Sequence, residues 1–326
     1  MGLTESRETR SPRSRRAARF RHEALYYAGA GQFVRRAAGY VREALAAHEA
    51  VLVAVVEPRA GLLRAELGPD AGAVEFLDIG RVGRNPARII PAWQDWVERN
   101  RDHDPDGAHD GSRPRGLRVI GEPVWAGRSG AEIRECQKHE QLLAAAFAAG
   151  PAWSLLCAYD VEALPIDVVA AAHRAHVAEV GLSAADVFAD PLPDLGPPLR
   201  ELRFGLGDLP RLRADIRGRA AELGLDERRV TDFVLVADEL AANSVRHGGG
   251  GGVLRLWRQG PHAICEVRDR GVITDLMAGR RRPDFAHHVG GAGLWTANLL
   301  CDLLLIRSAE GQGTCVRAHL ALGPGD

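Results

Sequence analysis

Glu239 and Asn243 are the two residues whose types and spacing most directly suggest chemistry. They stand in DERRVTDFVLVADELAANSVRHG, where Val230, Phe233, Val234, Ala237, Ala241 and Val245 fall within one arc at about 100° per residue. With Val230 as origin, Glu239 falls at about 180° and Asn243 at about 220°, away from the apolar arc, and His247 lies near 260°. A carboxylate and a carboxamide stacked one turn apart present oxygens to whatever occupies that face. In isolation the same spacing describes the wet side of any amphipathic helix.

The residues downstream of this helix change that balance. The stretch AICEVRDRG ends on Asp269 and Gly271. An aspartate there can accept a hydrogen bond from an exocyclic amine, and a glycine lets backbone approach a flat ring. VGGAGLW then supplies Gly290, Gly291 and Gly293 directly before a helix, where free N–H groups and the positive dipole end suit phosphate oxygens. GQGTCVRAHL finally places Gly313-Thr314 before the last strand. Each signal alone is an ordinary turn or glycine pair. All four in fixed order, each on a fitting element, form one strong signal.

Those residues need elements to hold them. Hydrophobic patterning predicts a strand at about 200–206, a helix at 208–223 ending at Gly224, and a helix over about 227–247. Strands at 253–259 and 262–269 come next, then an irregular segment (270–289), a helix at 292–302 and strands at 303–309 and 314–322. Helices beside a largely antiparallel sheet make a two-layer α/β sandwich. Upstream, apolar runs at 51–56, 74–79, 117–121 and 153–159 alternate with helical patterns at about 31–47, 60–67, 87–100, 130–148 and 165–178. That alternation predicts a parallel sheet covered on both faces. Residues 183–200 carry four of the chain's 18 prolines and read as a linker; residues 101–116 read as a polar loop.

Composition bounds the function. The 326 residues suit about two domains, with 46% hydrophobic and 26% charged residues as in globular proteins. A net charge of −1 provides no global field toward nucleic acid or anionic lipid. Arg7, Arg10, Arg13, Arg15, Arg16, Arg19 and Arg21 crowd the N-terminus, and residues 1–18 read as a flexible basic tail. Five scattered cysteines argue for a reducing compartment, and no apolar run approaches the ~18 residues of a spanning helix, so a cytoplasmic protein is expected.

The ordered motifs over 201–326 resemble the GHKL ATPase superfamily, and the ELAANSVRHGG wording most resembles its anti-sigma-factor serine kinases. The resemblance implies a Bergerat-type fold that binds ATP and Mg²⁺. It implies that Asn243 holds Mg²⁺, that Asp269 reads the adenine amine, and that Gly271, Gly291, Gly293 and Leu294 shape the nucleotide pocket. His247 and Thr314 belong to the same pocket, residues 270–289 to a lid, and Glu239 acts as general base toward a serine or threonine of a partner. The implied partners are a sigma factor and a STAS-type anti-anti-sigma protein, with a possible homodimer. Three rivals are a nucleotide-binding regulator without catalysis, a histidine kinase, and a purely sensory or scaffold protein with a vestigial ATPase domain. The second lacks support, because LPRLRADIRGRAAELG before the ATPase motifs contains no histidine.

FRHEALYYAG, GRNPARIIPAWQDWVE, IGEPVWAGRSGAEIRECQKHEQLLAAAF and LLCAYD, spread over residues 19–182, are similar to the MEDS family of sensory domains. The similarity implies a RecA-like core used for sensing; no Gly-x-x-x-x-Gly-Lys-Ser/Thr loop is present. Ala175-His176-Val177 departs from a family pattern that places proline after the last histidine. Cys136 with His139, and His173 with His176, are metal-ligand types at helical i,i+3 spacing, yet read first as surface or hydrogen-bonded core residues. His22-Glu23 and the turn Asn85-Pro86-Ala87-Arg88 are the better candidates for a pocket taking a small-molecule signal. Trp93 and Trp96 read as core.

Overall fold

The computed structural model describes residues 20–101, 116–177, 182–283 and 292–323. The expected basic tail, most of the 101–116 loop and the end of the 270–289 segment, with Gly290 and Gly291 after it, lie outside them.

The first half alternates β1 (Phe20–Tyr27), α1 (Gly29–Ala46), β2 (Ala50–Val55), α2 (Glu57–Leu67), β3 (Glu75–Asp78), α3 (Ile79–Val82), α4 (Ile89–Arg101), β4 (Leu117–Gly121), α5 (Gly130–Ala146), β5 (Trp153–Asp160) and α6 (Ile166–Val177). Its five strands pair in parallel in the order β1-β5-β4-β2-β3. Side chains alternate across the strands, so Val51, Val53 and Val55 pack with Phe33 and Val41 of α1 and Leu63 of α2. Leu52, Ala54, Val119 and Leu155 face the other way, toward Trp93 and Trp96 of α4. Helices on both faces explain why the central strands read as unbroken apolar runs. Edge strand β1 differs: Arg21, His22 and Glu23 interrupt its apolar pattern, so periodicity alone does not predict it.

The second half holds α7 (Ala184–Phe188), β6 (Arg200–Gly205), α8 (Leu209–Glu222), α9 (Glu227–His247), β7 (Gly251–Gln259), β8 (His262–Asp269), α10 (Gly293–Leu300), β9 (Leu303–Ala309) and β10 (Gly313–Ala321). Its sheet runs β6-β7-β8-β10-β9 with antiparallel pairing throughout. Helix α9 begins where the Asp226 carboxylate accepts the Arg229 N–H at 2.8 Å, a side-chain cap. Phe233, Val236, Ala237, Leu240 and Ala241 of α9 share a core with Leu254, Cys265 and Val267 of the sheet.

Residues 183–200 are more than a tether. Ser183 and Asp186 form a capping box that starts α7. Farther on, the Pro193 carbonyl accepts from Arg317 at 2.8 Å and the Gly196 carbonyl accepts from the Trp257 indole at 3.1 Å. Arg317 in turn donates to the fully buried Glu266 at 2.8 Å. This proline-rich segment therefore lies over the sheet face opposite α9.

Candidate functional site

Helix α9 carries the chemistry-bearing pair, and the start of α10 closes against it. A Cβ placed on Gly293 would stand 2.7 Å from Asn243 Nδ2, 2.9 Å from Asn243 Oδ1 and 2.9 Å from Glu239 Oε2. With no side chain at this position, the backbone comes close to both polar groups as they stand. Glu239 and Asn243 are half-buried. Among the described residues the Glu239 carboxylate has no hydrogen-bond or ion-pair partner, and Asn243 Oδ1 has one long contact, 3.4 Å from Arg246 Nη2.

A second knot lies at the end of β8. Asp269 accepts from Ser244 Oγ at 2.5 Å and from Gly271 N at 2.8 Å. Three glycines are packed against it: a Cβ on Gly248 would meet the Asp269 carboxyl at 2.3 Å, one on Gly271 would meet the His247 carbonyl oxygen at 2.5 Å, and one on Gly313 would meet the Asp269 carbonyl oxygen at 2.1 Å. Gly313 also has φ +75, which favours glycine on its own account. Thr314 pairs with Asp269 across the strands and donates to the Gly271 carbonyl at 2.9 Å, while Ser308 Oγ is 2.7 Å from its hydroxyl. Asp269, Gly271 and Thr314 are therefore one constellation, and Ser244 joins them to α9 one residue beyond Asn243.

Not every expected site residue converges. The His247 side chain is exposed, and its contribution to this knot is its backbone carbonyl. Leu294 packs close to Gly279 of the 270–283 segment. Gly291 lies outside the described residues. Arg280 and Arg282 of the 270–283 segment dock on the first half. Arg280 is buried in an ion pair with Glu135 of α5, and Arg282 reaches Asp95 of α4 at 3.4 Å.

That contact belongs to a wider junction between the halves. Asn85, fully buried, donates through Nδ2 to the backbone oxygen and to Oδ1 of Asn298, both at 3.1 Å. Arg88 donates to the carbonyls of Asn298, Leu299 and Cys301 at 2.7 to 2.8 Å, capping the C-terminal end of α10. Asn298 Nδ2 donates to the Gly279 carbonyl at 2.9 Å and ties the 270–283 segment to the same helix. The Asn85-Pro86-Ala87-Arg88 turn thus contacts the second half rather than lining the large N-terminal cavity. No sequence signal marks Glu135 or Asn298 as partners, because such pairs lie across domains and follow no period.

In the first half, Tyr27, Glu122 and Asp160 converge on Arg59 at the carboxyl ends of the strands. Arg59 holds Glu122 at 2.8 Å and Asp160 at 3.0 Å, and the Tyr27 hydroxyl donates to Glu122 at 3.4 Å. Burial pushes the Glu122 carboxyl up to about 7, against the opposing pull of Arg59 and the Val56 N–H. The crest where parallel α/β folds usually take ligands is filled here by the protein's own ion pairs. A cavity of about 730 Å³ lies elsewhere in this half, with His22, Glu140, Tyr159 and His176 among its walls. Another of about 360 Å³ lies at the junction, beside Arg88 and Asn298. Neither borders Glu239 or Asn243.

Residues 21–177 match the family model described as MEDS, MEthanogen/methylotroph, DcmR Sensory domain, and residues 204–320 match the one described as histidine kinase-like ATPase domain. No curated protein matches the chain. No helix among the described residues is long and apolar enough to cross a membrane.

Proposed function

Since this chain joins a MEDS sensory domain to a histidine kinase-like ATPase domain, we propose that it is an anti-sigma regulatory factor whose ATPase domain phosphorylates a partner under sensory control. The partner is a STAS-type anti-anti-sigma protein carrying the target serine or threonine, and the sequestered protein is a sigma factor. The mixed α/β architecture supports a Bergerat-type fold in the second half and a RecA-like one in the first. The single observation that carries the reading is the closure of Gly293 onto Glu239 and Asn243.

That closure sets backbone N–H groups at a helix start beside a carboxamide and a carboxylate without another partner, a donor set that fits a metal-bound triphosphate. Asn243 would hold Mg²⁺, which neutralises phosphate charge when bound. Asp269 keeps acceptor capacity beyond Ser244 and Gly271 N, since a carboxylate offers about four lone-pair sites, and this suits an adenine amine. Glu239 takes the proton as the serine or threonine oxygen attacks the γ-phosphorus and ADP leaves. Sensory control has a physical route in the Glu135–Arg280 and Asn85–Asn298 contacts, which hold the lid and α10 from the sensory side.

Incubation of the full chain with Mg²⁺-ATP and a STAS-domain protein tests this. Acid-stable phosphate should appear on the STAS protein and fall by about 10²- to 10⁴-fold with Glu239→Gln. Nucleotide binding with no transfer from either form leaves a non-catalytic regulator. Acid-labile phosphate on the chain itself makes it a histidine kinase.

A further inference from the structure

At the wall of the larger cavity and directly behind it stand four metal-ligand side chains that take no part in the nucleotide site or the junction. His22 comes from β1, Glu140 from α5, Cys157 from β5 and His176 from the last turn of α6, and their ligand atoms all lie within 4.8 Å of one another. His22 Nε2 is 3.0 Å from Glu140 Oε2 and 3.3 Å from Cys157 Sγ; Cys157 Sγ is 3.5 Å from Glu140 Oε1. The side chains of Glu140 and His176 are 3% and 5% exposed.

The decisive detail is the hydrogen bonding of His176. Its Nδ1 lies 2.7 Å from the Ala172 carbonyl oxygen. A carbonyl only accepts, so Nδ1 carries the proton and, in the neutral ring, Nε2 carries the lone pair. That Nε2 faces Glu140 Oε2 across 3.4 Å and is buried without a hydrogen-bond partner, while the carboxylate oxygen has only the His22 Nε2 contact at 3.0 Å on its other side. Two acceptor atoms, each with almost no exposed surface, face one another. A cation between them resolves the conflict, and a ring nitrogen donating to a backbone carbonyl is the usual outer support of a metal-bound histidine.

We propose that His22, Glu140, Cys157 and His176 bind a divalent cation of the zinc class. Two imidazoles and a thiolate favour such an ion over Mg²⁺ or Ca²⁺, and four ligands suit its tetrahedral preference. The carboxylate and thiolate together balance two positive charges, so the filled site is neutral within a buried region. On binding, the Cys157 sulfur–hydrogen bond breaks, a sulfur–metal bond forms, and the proton leaves to solvent. Three of the four donors border the cavity, so a small molecule entering it would meet the metal from that side.

The test uses the full chain, stripped with chelator and titrated with Co²⁺ as a spectroscopic stand-in, then with Zn²⁺ in competition. One Co²⁺ per chain, a near-ultraviolet thiolate-to-metal band and displacement by Zn²⁺ are expected. Cys157→Ser should abolish the band. His176→Gln should weaken Co²⁺ by more than the roughly 10- to 100-fold cost of losing an outer support. His173→Gln, three residues away and exposed, should change neither. A folded chain that binds no stoichiometric Co²⁺, or binds it without a thiolate band, overturns the proposal and leaves an ion-pair network with charged histidines. Should a variant lose its fold, the wild-type spectrum alone decides between these outcomes. Failure of phosphotransfer would leave the proposal standing, because the readout involves neither ATP nor the second half.

Discussion

Gly293 concentrates the consequences of the nucleotide reading in one hydrogen atom. Its missing side chain leaves room for the Glu239 and Asn243 heads, all of them side-chain ends that can shift. Gly293→Ala is therefore expected to fold about as well as wild type, since the φ of Gly293 is not positive and the neighbouring side-chain ends can give way. The same methyl fills the space between a helix start and its polar partners. Isothermal titration with a non-hydrolysable ATP analogue should show affinity falling at least about tenfold, roughly 1.4 kcal/mol, with the unfolding midpoint little changed. Retained affinity would place the phosphates elsewhere. Gly271→Ala is the contrasting substitution: its new carbon would strike the His247 backbone, which cannot swing aside, and the fold itself should suffer.

At the scale of elements, the strand ends of the parallel sheet carry a pH-dependent load. The Glu122 carboxyl, pushed from 4.5 up to about 7 by burial, is held more readily as the neutral acid in the folded chain than in the unfolded one. Its contribution to stability is complete below the unfolded value and disappears as pH rises through about 7. A shift of this size corresponds to at most about 3 kcal/mol. Glu122→Gln should match wild type in acid and gain relative stability as pH rises toward 8; thermal unfolding of both across that range measures the difference. A constant difference would mean that Arg59 already compensates the charge. Elements of this kind are largely legible in the sequence: periodicity places α9 and β8 at the residues observed, because each has one buried face and strong capping or turn residues. Strand β1 is not, since its inward row includes His22, a polar residue that packs there only because Glu140 and Cys157 wait across from it. The Glu239–Asn243 pair can be read because both lie on one helix. The Arg280–Glu135 pair cannot, because the two residues are 145 positions apart.

For the whole molecule, the junction decides how far the halves act as one. Asn85 donates to two acceptors on Asn298, and Asn85→Ala would strand the side-chain oxygen of Asn298 in a buried place, while Arg88 still serves its backbone oxygen. A loss of about 1–3 kcal/mol is expected, visible as a lower unfolding midpoint, together with a weaker hold of Asn298 on Gly279. An unchanged midpoint would show that the apolar part of the junction suffices.

Lys138 provides a natural gauge of that junction. It is the one lysine in 326 residues, and it lies buried on α5 with Nζ 3.5 Å from the Ile306 carbonyl across the boundary. Amine-selective reagents should acylate it slowly in the docked protein and faster in Asn85→Ala, so peptide mapping of that one position times the parting of the halves without any introduced probe. A molecule that uses arginine everywhere else holds its single side-chain amine buried at the junction of its own halves.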